Sequence, residues 1–183
     1  MRSSRQAIIR HIITQTGQMP GSINLLRQAD IFYPVPMGYL EKIAGICQEI
    51  TCQAGENIFL EGSNSDELYI ITQGEVEIRV DPGLVGGKSE GEISPVTIAT
   101  LRRGQSFGEV ALVDQGVRSA TACATQDHTH LLVLARQELI RLCDDYPIFG
   151  YQLMRNLAAD LALKLRNTDL LIRAELLNGL NQK

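Results

Sequence analysis

The sequence lacks the cysteine pattern of a zinc or iron–sulfur protein. Its four cysteines, Cys47, Cys52, Cys123 and Cys143, include no C-x-x-C pair from which such a site could be formed. Each is better explained as a buried, inert thiol, because a free cysteine usually behaves as a small hydrophobic residue. We therefore expect free thiols in a reducing cytoplasm and no bound metal.

The sequence also lacks a long apolar stretch. No segment approaches the roughly 20 apolar residues that are needed to cross a bilayer, and the first residues do not form the apolar core of a secretory signal. We expect the chain to stay in the compartment where it is made. The cytoplasm is therefore its predicted location, and a membrane is not an expected partner.

An excess of one charge is absent as well. The 183 residues include 17 Lys and Arg against 21 Asp and Glu, and a net charge of -4 demands neither nucleic acid nor a membrane as a partner. Residues 1–29 are the exception, because they contain four arginines and no acidic residue. We interpret them as a separate N-terminal helical arm that packs on its own domain or on a partner. Contact with an anionic membrane and a transit peptide are the alternatives.

The periodicity of the apolar residues predicts helices at both ends of the chain and a β-rich middle. The length suits one buried domain with accessory helices. Helical spacing predicts helices over residues 4–16, 23–29, 37–46, 136–144 and 148–180. Short β-branched runs separated by glycine are typical of an all-β barrel or sandwich. They predict strands over residues 58–60, 68–72, 75–80, 96–101, 120–125 and 129–134, with a mobile surface loop over 81–95.

Residues 104–121 carry the most informative pattern. They combine a glycine-bounded turn, one short helical turn and an arginine that leads into a strand. A phosphodiester anion needs backbone N–H groups at a helix N-terminus together with a forked cation, and Arg118 provides that cation. Glu109, at the start of the short helix, is placed to accept a hydrogen bond from a ribose hydroxyl.

This segment resembles the phosphate-binding cassette of the cyclic-nucleotide-binding domain family. The family pattern is F-G-E-(aliphatic)-A-L, a short spacer and R-(A/S/T)-A-T. Here residues 107–112 read Phe-Gly-Glu-Val-Ala-Leu and residues 118–121 read Arg-Ser-Ala-Thr. Upstream, residues 54–62 and 68–78 resemble two further family segments, A-G-E-x-I-F-x-E-G and L-Y-(I/V)-I-x-x-G-x-V-x-V. The resemblance covers roughly residues 30–165 in order.

The resemblance implies a mainly β protein with flanking α structure. The expected fold is an eight-stranded jelly-roll β-barrel with N-terminal helices and a long C-terminal helix. The expected divisions are the arm at residues 1–29, a cyclic-nucleotide-binding β-barrel at 30–146, and a C-terminal lid and dimerisation helix at 147–183.

The resemblance also implies roles for individual residues. Arg118 is expected to bind the exocyclic phosphate oxygens, Glu109 to accept the ribose 2′-hydroxyl, and Gly108 to let the backbone approach the ligand. Ser119 offers a hydroxyl to the phosphate or the base. The predicted ligand-binding residues are Phe107, Gly108, Glu109, Val110, Ala111, Arg118, Ser119 and Ala120, and no catalytic residue is expected.

The predicted function is that of a regulatory sensor and not of an enzyme. In the family a hydroxyl residue after the cassette arginine is compatible with either base, so Ser119 allows cAMP or cGMP, and cAMP is the more common expectation. Nucleotide capture is expected to move residues 107–112, and the later helices follow by closing over the base. Tyr151, Met154 and Leu157 are candidate lids, and the output is an unidentified effector protein. Direct DNA binding is not expected, because the tail after Leu165 is too short for a three-helix DNA-binding unit.

Two alternatives follow from the same residues. Arg118 and Glu109 could pair with each other inside a barrel that has no ligand, which would leave a scaffold for protein contacts. His128 and His130 lie two apart on a predicted strand and would face the same way, as metal ligands do in cupin-type enzymes. No histidine follows His130 to complete such a site.

An apolar stripe follows the predicted C-terminal helix at spacings of three or four residues. A helix of some 30 residues outruns a core of ~25 Å diameter at ~1.5 Å per residue, which favours a homodimer seam. The alternative is that the helix lies back on the barrel. The stripe comprises Met154, Leu157, Ala158, Leu161, Leu165, Thr168, Ile172 and Leu176. Its polar interruptions, Lys164 and Thr168, are expected near the seam or the mouth of the pocket.

Overall fold

The structure is a computed structural model that describes residues 21–84 and 94–181. The helices are α1 (Ser22–Leu26), α2 (Met37–Ile46), α3 (Glu109–Asp114), α4 (Arg136–Asp145) and α5 (Pro147–Asn181), with 3₁₀ turns at Asp30–Phe32 and Pro82–Leu84. The strands are β1 (Cys47–Cys52), β2 (Asn57–Phe59), β3 (Leu68–Gln73), β4 (Glu75–Val80), β5 (Val96–Arg102), β6 (Ser106–Phe107), β7 (Thr121–Ala124) and β8 (Thr129–Leu134). The predicted helix over 4–16 and residues 85–93 of the predicted loop lie outside the described residues.

The strands form two antiparallel sheets of four strands each. Their orders are β1-β8-β3-β6 and β2-β7-β4-β5. Neighbours in the sheets are mostly distant in sequence, as in β1, where Cys47 lies opposite Leu134 of β8. Such crossing connections between two sheets are those of a jelly roll. The predicted eight-stranded fold with flanking helices and a long C-terminal helix is confirmed.

Strand β3 separates two apolar cores. Tyr69 and Ile71 face the barrel interior, whereas Leu68 and Ile70 face the helices, as the alternation of side chains along a strand requires. Both faces are buried, and this is why the strand reads as a continuous apolar run. The helical core contains residues from α1, α2, α4 and the first part of α5.

Most of the predicted elements are present, with boundaries within one residue of those that the sequence indicated. The helix over 37–46 and the strands over 75–80 and 129–134 are confirmed to the residue. Helix α1 is shorter than predicted and ends at Leu26, after which the Asp30 N–H bonds to the Gly104 carbonyl at 3.1 Å. Strands β1 and β6 were not predicted, because β1 is polar over its first half and β6 has two residues.

Helix α5 changes its environment along its length. Phe149, Leu153 and Leu157 are buried in the helical core, whereas every residue from 165 to 174 is exposed. The predicted apolar stripe therefore divides, with its first part packed on the protein's own helices. Within the described part of the chain, no helix is long and apolar enough to cross a membrane.

The four cysteines are free thiols. Burial raises the pKa of the Cys47 and Cys52 thiols to about 12 and that of Cys143 to about 11. Because the thiolate is the reactive form, these groups are chemically inert near neutral pH.

Candidate ligand-binding site

The turn between β6 and α3 is built around Gly108. Its φ of +86° is in the region that glycine adopts without strain. A Cβ at this position would lie 2.7 Å from Nη1 of Arg118 and 2.8 Å from the carbonyl oxygen of Glu67. The position therefore needs glycine both for its backbone conformation and for the space that the arginine occupies.

The Arg118 guanidinium is the most extensively bonded cation of the site. Nε donates to Oγ of Ser65 at 2.7 Å, Nη1 to the Gly108 carbonyl at 3.0 Å, and Nη2 to the Glu67 carbonyl at 2.8 Å. Nη2 also lies 3.3 Å from Oε2 of Glu67. The group stacks on the Phe59 ring at 4.1 Å from its centroid, and the residue is only 2% exposed. The geometry holds one face of the guanidinium against an aromatic ring and its edge against oxygen atoms.

Burial affects the ionisable groups around Arg118. It lowers the pKa of the Arg118 guanidinium, and the neighbouring Tyr69 and Glu67 oppose that shift. Burial raises the pKa of the Tyr69 phenol, with a further contribution from Glu67. The phenol is thus neutral near pH 7, whereas the guanidinium remains protonated.

Glu109 begins α3 and is 5% exposed. Its Oε1 accepts a hydrogen bond from Nζ of Lys164 at 2.9 Å. The same ammonium donates to the Ser106 carbonyl at 2.7 Å and lies 2.7 Å from Oδ2 of Asp160. The sequence marks Lys164 as a polar interruption of the apolar stripe, expected near the dimer seam or the mouth of the pocket, but it does not indicate the contact with Glu109.

Arg118 and Glu109 therefore have separate charged partners. Arg118 pairs with Glu67, and Glu109 pairs with Lys164. The direct Arg118–Glu109 ion pair considered as an alternative is not formed. Each buried charge is compensated, as its removal from water requires.

The other predicted ligand-binding residues differ in their burial. Phe107 is buried and stacks on Tyr69 at a centroid distance of 5.1 Å, and Ala120 is buried as well. Val110 and Ser119 are exposed. Ala111 lies within α3.

The three candidate lid residues differ in their surroundings. Leu157 is buried in the helical core, and Met154 packs against the same cluster. Tyr151 is exposed. Apolar periodicity identified the buried face of α5 but not which neighbour covers it. Lys164, two turns later in α5, donates a hydrogen bond to Glu109 of the cassette.

The predicted histidine pair does not share a strand. His128 lies in the turn before β8, is exposed and has a φ of +57°, whereas His130 lies in β8 and is within 3.2 Å of the Thr51 hydroxyl through Nδ1. Over residues 21–84 and 94–181, no cluster of three or more His, Cys, Asp or Glu residues could hold a metal ion.

Comparison with known proteins identifies the family to which the sequence is related. Residues 49–146 match the family model described as cyclic nucleotide-binding domain. The chain is 38% identical over 116 residues to the cyclic AMP receptor protein of Thermus thermophilus, which covers 63% of this chain and 48% of that protein. It is 30% identical over 114 residues to human cGMP-dependent protein kinase 2, with 62% of this chain and 14% of the kinase covered.

A solved structure shows the same fold. A cyclic nucleotide-binding domain from Methylobacillus flagellatus matches with a TM-score of 0.73 at 22% identity, over 90% of this chain and 88% of that chain. The chain spans about half the length of the Thermus receptor and a small part of the kinase. Since the family model matches more than half of its residues, this chain belongs to the cyclic nucleotide-binding domain family.

Proposed function

We propose that the protein is a regulatory sensor that binds a 3′,5′-cyclic nucleotide and signals to a partner through its C-terminal helices. The observation that carries the proposal is the buried Arg118 guanidinium beside the Gly108 turn, where α3 begins. A cyclic phosphate is an anion that matches the fork of a guanidinium. The proposed role is binding and not catalysis.

The ligand would replace one of the contacts that the Arg118 guanidinium makes within the protein. The contact between Arg118 Nη2 and the Glu67 carboxylate is 3.3 Å, longer than the three other hydrogen bonds of the guanidinium. The Glu67 side chain is 37% exposed and thus free to turn outward. We propose that the phosphate takes the place of this carboxylate and that Glu109 accepts the ribose 2′-hydroxyl. Phe107, Val110, Ala111, Ser119 and Ala120 complete the proposed site.

We propose adenine, in preference to guanine, as the base of the ligand. One similar protein is a cyclic AMP receptor at 38% identity and another is a cGMP-dependent kinase at 30% identity. The exposed Ser119 hydroxyl could bond to the phosphate or to either base. The greater similarity to the cAMP receptor supports cAMP as the first ligand to test.

A continuous set of contacts supports signalling from the cassette to α5. Nε of Arg136, the first residue of α4, donates to the Leu112 carbonyl in α3 at 3.0 Å. Helix α4 then meets α5 closely, since a Cβ on Gly150 would lie 2.9 Å from the Cβ of Cys143. A displacement of α3 would therefore be passed to α4 and α5. We propose that an effector protein reads the resulting position of α5.

We further propose that α5 pairs with a second copy of the chain. Leu165 and Ile172 are seven residues apart and are 64% and 53% exposed. A seven-residue apolar spacing is that of a coiled-coil seam, and burying these side chains would remove apolar surface from water. Other exposed apolar residues of this part of the helix are Leu163, Leu170, Leu171, Leu176 and Leu177.

A ligand-free scaffold is the second candidate function. The compensation of Arg118 by Glu67 and of Glu109 by Lys164 is what a barrel without ligand would need. In this candidate the exposed apolar face of α5 binds a protein partner without a nucleotide signal. Nucleotide binding distinguishes the two candidates.

Calorimetric titration of the refolded, ligand-stripped protein with cAMP and cGMP tests the proposal. Wild-type protein should bind one or both nucleotides saturably. Arg118→Lys keeps the positive charge but loses the planar fork, and should weaken binding by at least about tenfold. The matched control is Arg102→Lys, because Arg102 forms an exposed ion pair with Glu75 on β5.

The outcomes separate the candidates. Loss of affinity in Arg118→Lys and normal affinity in Arg102→Lys would support the sensor. A stable wild-type protein that binds neither nucleotide would refute the sensor and favour the scaffold. Equal effects of both variants would refute the role of Arg118.

A further inference from the structure

Lys164 joins three separate elements at the cassette. Its ammonium donates to the Ser106 carbonyl in β6 at 2.7 Å and to Oε1 of Glu109 in α3 at 2.9 Å. It also lies 2.7 Å from Oδ2 of Asp160, one turn earlier in α5. These contacts are not required to form the helix, since two of the three partners lie outside it.

The contact with Glu109 supplies a charge that the carboxylate needs. The Glu109 side chain is 6% exposed, and that of Lys164 is 28% exposed. A carboxylate removed from water to this extent is costly unless a cation or several donors accompany it. Because Lys164 binds Oε1, it also fixes the direction in which the second oxygen, Oε2, points.

Lys164 is also where α5 leaves the domain. Nδ2 of Asn156 donates to the carbonyls of Ile31 and Tyr33 at 2.8 and 2.9 Å. Eight residues later, Lys164 makes its contacts with the cassette, and residues 165–174 are exposed. The helix is thus fastened at two points, and the second fastening is made to the proposed ribose-binding carboxylate.

We propose that Lys164 is a positioning residue for the ribose. It holds the Glu109 carboxylate so that Oε2 accepts a hydrogen bond from the ligand's 2′-hydroxyl. It thereby links recognition of that hydroxyl to the contact between α5 and the cassette. This inference rests on the proposed function. Because linkage is reciprocal, loss of the Lys164 contact weakens the recognition of the 2′-hydroxyl as well as the attachment of the helix.

The test compares a cyclic nucleotide with its 2′-deoxy form. The probes are cAMP and 2′-deoxy-cAMP, or the guanine pair if the wild type prefers cGMP. Affinities are measured for the wild type, Lys164→Met and Lys164→Arg. Arg166→Met is the matched control, because Arg166 is an exposed basic residue of the same helix. Thermal unfolding of each variant confirms that it is folded.

The expected result is a selective loss. Lys164→Met should bind the ribose form about tenfold more weakly, the effect of losing one charged hydrogen bond. Its affinity for the 2′-deoxy form should change by less than about twofold, since that ligand makes no bond to Glu109. Lys164→Arg should recover part of the ribose preference, and Arg166→Met should retain all of it.

Hydrogen exchange provides a second test. If Lys164 had a purely structural role, the ribose and 2′-deoxy ligands would protect α5 equally in the wild type. In the wild type, the ribose form should protect residues 157–168 of α5 more than the 2′-deoxy form does. In Lys164→Met the two ligands should protect the helix equally.

Several results would overturn the inference. Equal weakening for both ligands would make Lys164 a structural residue only, and tighter binding of the ribose form would mean that Lys164 competes with the 2′-hydroxyl. A wild-type ribose preference that Lys164→Met leaves unchanged would refute this inference but not the proposed function. A wild type that binds no nucleotide would refute both.

Discussion

Replacement of Gly108 by alanine tests whether the cassette turn is held by close packing around Arg118. The substitution adds one methyl group at a backbone φ of +86°. That methyl group would lie 2.7 Å from Arg118 Nη1 and 2.8 Å from the Glu67 carbonyl oxygen. Since backbone atoms cannot yield as a flexible side chain does, the arginine or the turn must shift.

The magnitude has two parts. A residue with a Cβ in the left-handed region costs about 1–2 kcal/mol. Displacement of the guanidinium would also break the 3.0 Å hydrogen bond from Nη1 to the Gly108 carbonyl, and a bond to a charged group contributes about 1.5–3 kcal/mol. We therefore expect Gly108→Ala to lower the free energy of unfolding by about 2.5–5 kcal/mol.

Gly55→Ala is the matched control. Gly55 has a similar φ of +82°, but a Cβ there would meet nothing within 4 Å. Its expected cost is the backbone term alone, about 1–2 kcal/mol. Urea unfolding of both variants and the wild type measures the difference. Equal losses in the two variants would refute the argument that the Arg118 contact makes Gly108 necessary.

Three further predictions concern regions away from the cassette. Asn156→Ala should lower the free energy of unfolding by about 1–3 kcal/mol, because two carbonyl groups lose their donor; chemical unfolding measures this, with an unchanged midpoint as the contrary result. Stability should fall as the pH rises from about 9 toward 11, because thiols such as Cys47 stay protonated in the folded protein but ionise in the unfolded chain. Urea unfolding at several pH values should show a weaker decline in Cys47→Ala. Ile172→Asp should convert the proposed dimer to a monomer in sedimentation experiments, while the same change at the exposed Thr100 of β5 should not.

The part of the site that the sequence predicted is the part that is local along the chain. Residues 107–112 and 118–121 form one short segment whose turn, helix and arginine have fixed spacing, so their pattern can be recognised without the fold. The partners of Arg118 could not be found in this way. Ser65 and Glu67 are more than 50 residues from Arg118, and only the folded barrel brings them into contact with it.

Helix α5 shows a second limit of prediction from the sequence. Its periodicity correctly predicted a long helix with an apolar face, but it did not indicate which surface covers each part of that face. Leu157 was expected over the ligand and lies instead in the helical core. In the sequence Lys164 interrupts the apolar stripe, and in the structure its ammonium donates a hydrogen bond to Glu109. Pairing between sheet strands and between helices is decided by tertiary packing, which a single-sequence pattern does not contain.

Helix α5 is packed on the domain up to Lys164 and exposed beyond it, so a small tilt at Lys164 would be amplified along the exposed part. The described helix continues from there to Asn181, a length of about 25 Å at the helical rise per residue. A tilt of about 10° at this fulcrum would displace the far end by about 4 Å, whereas atoms beside the cassette would move by only a fraction of that distance. Under the proposed function, a rearrangement the size of one hydrogen bond at the cassette would thereby become a displacement large enough for a partner protein to distinguish two positions of the helix.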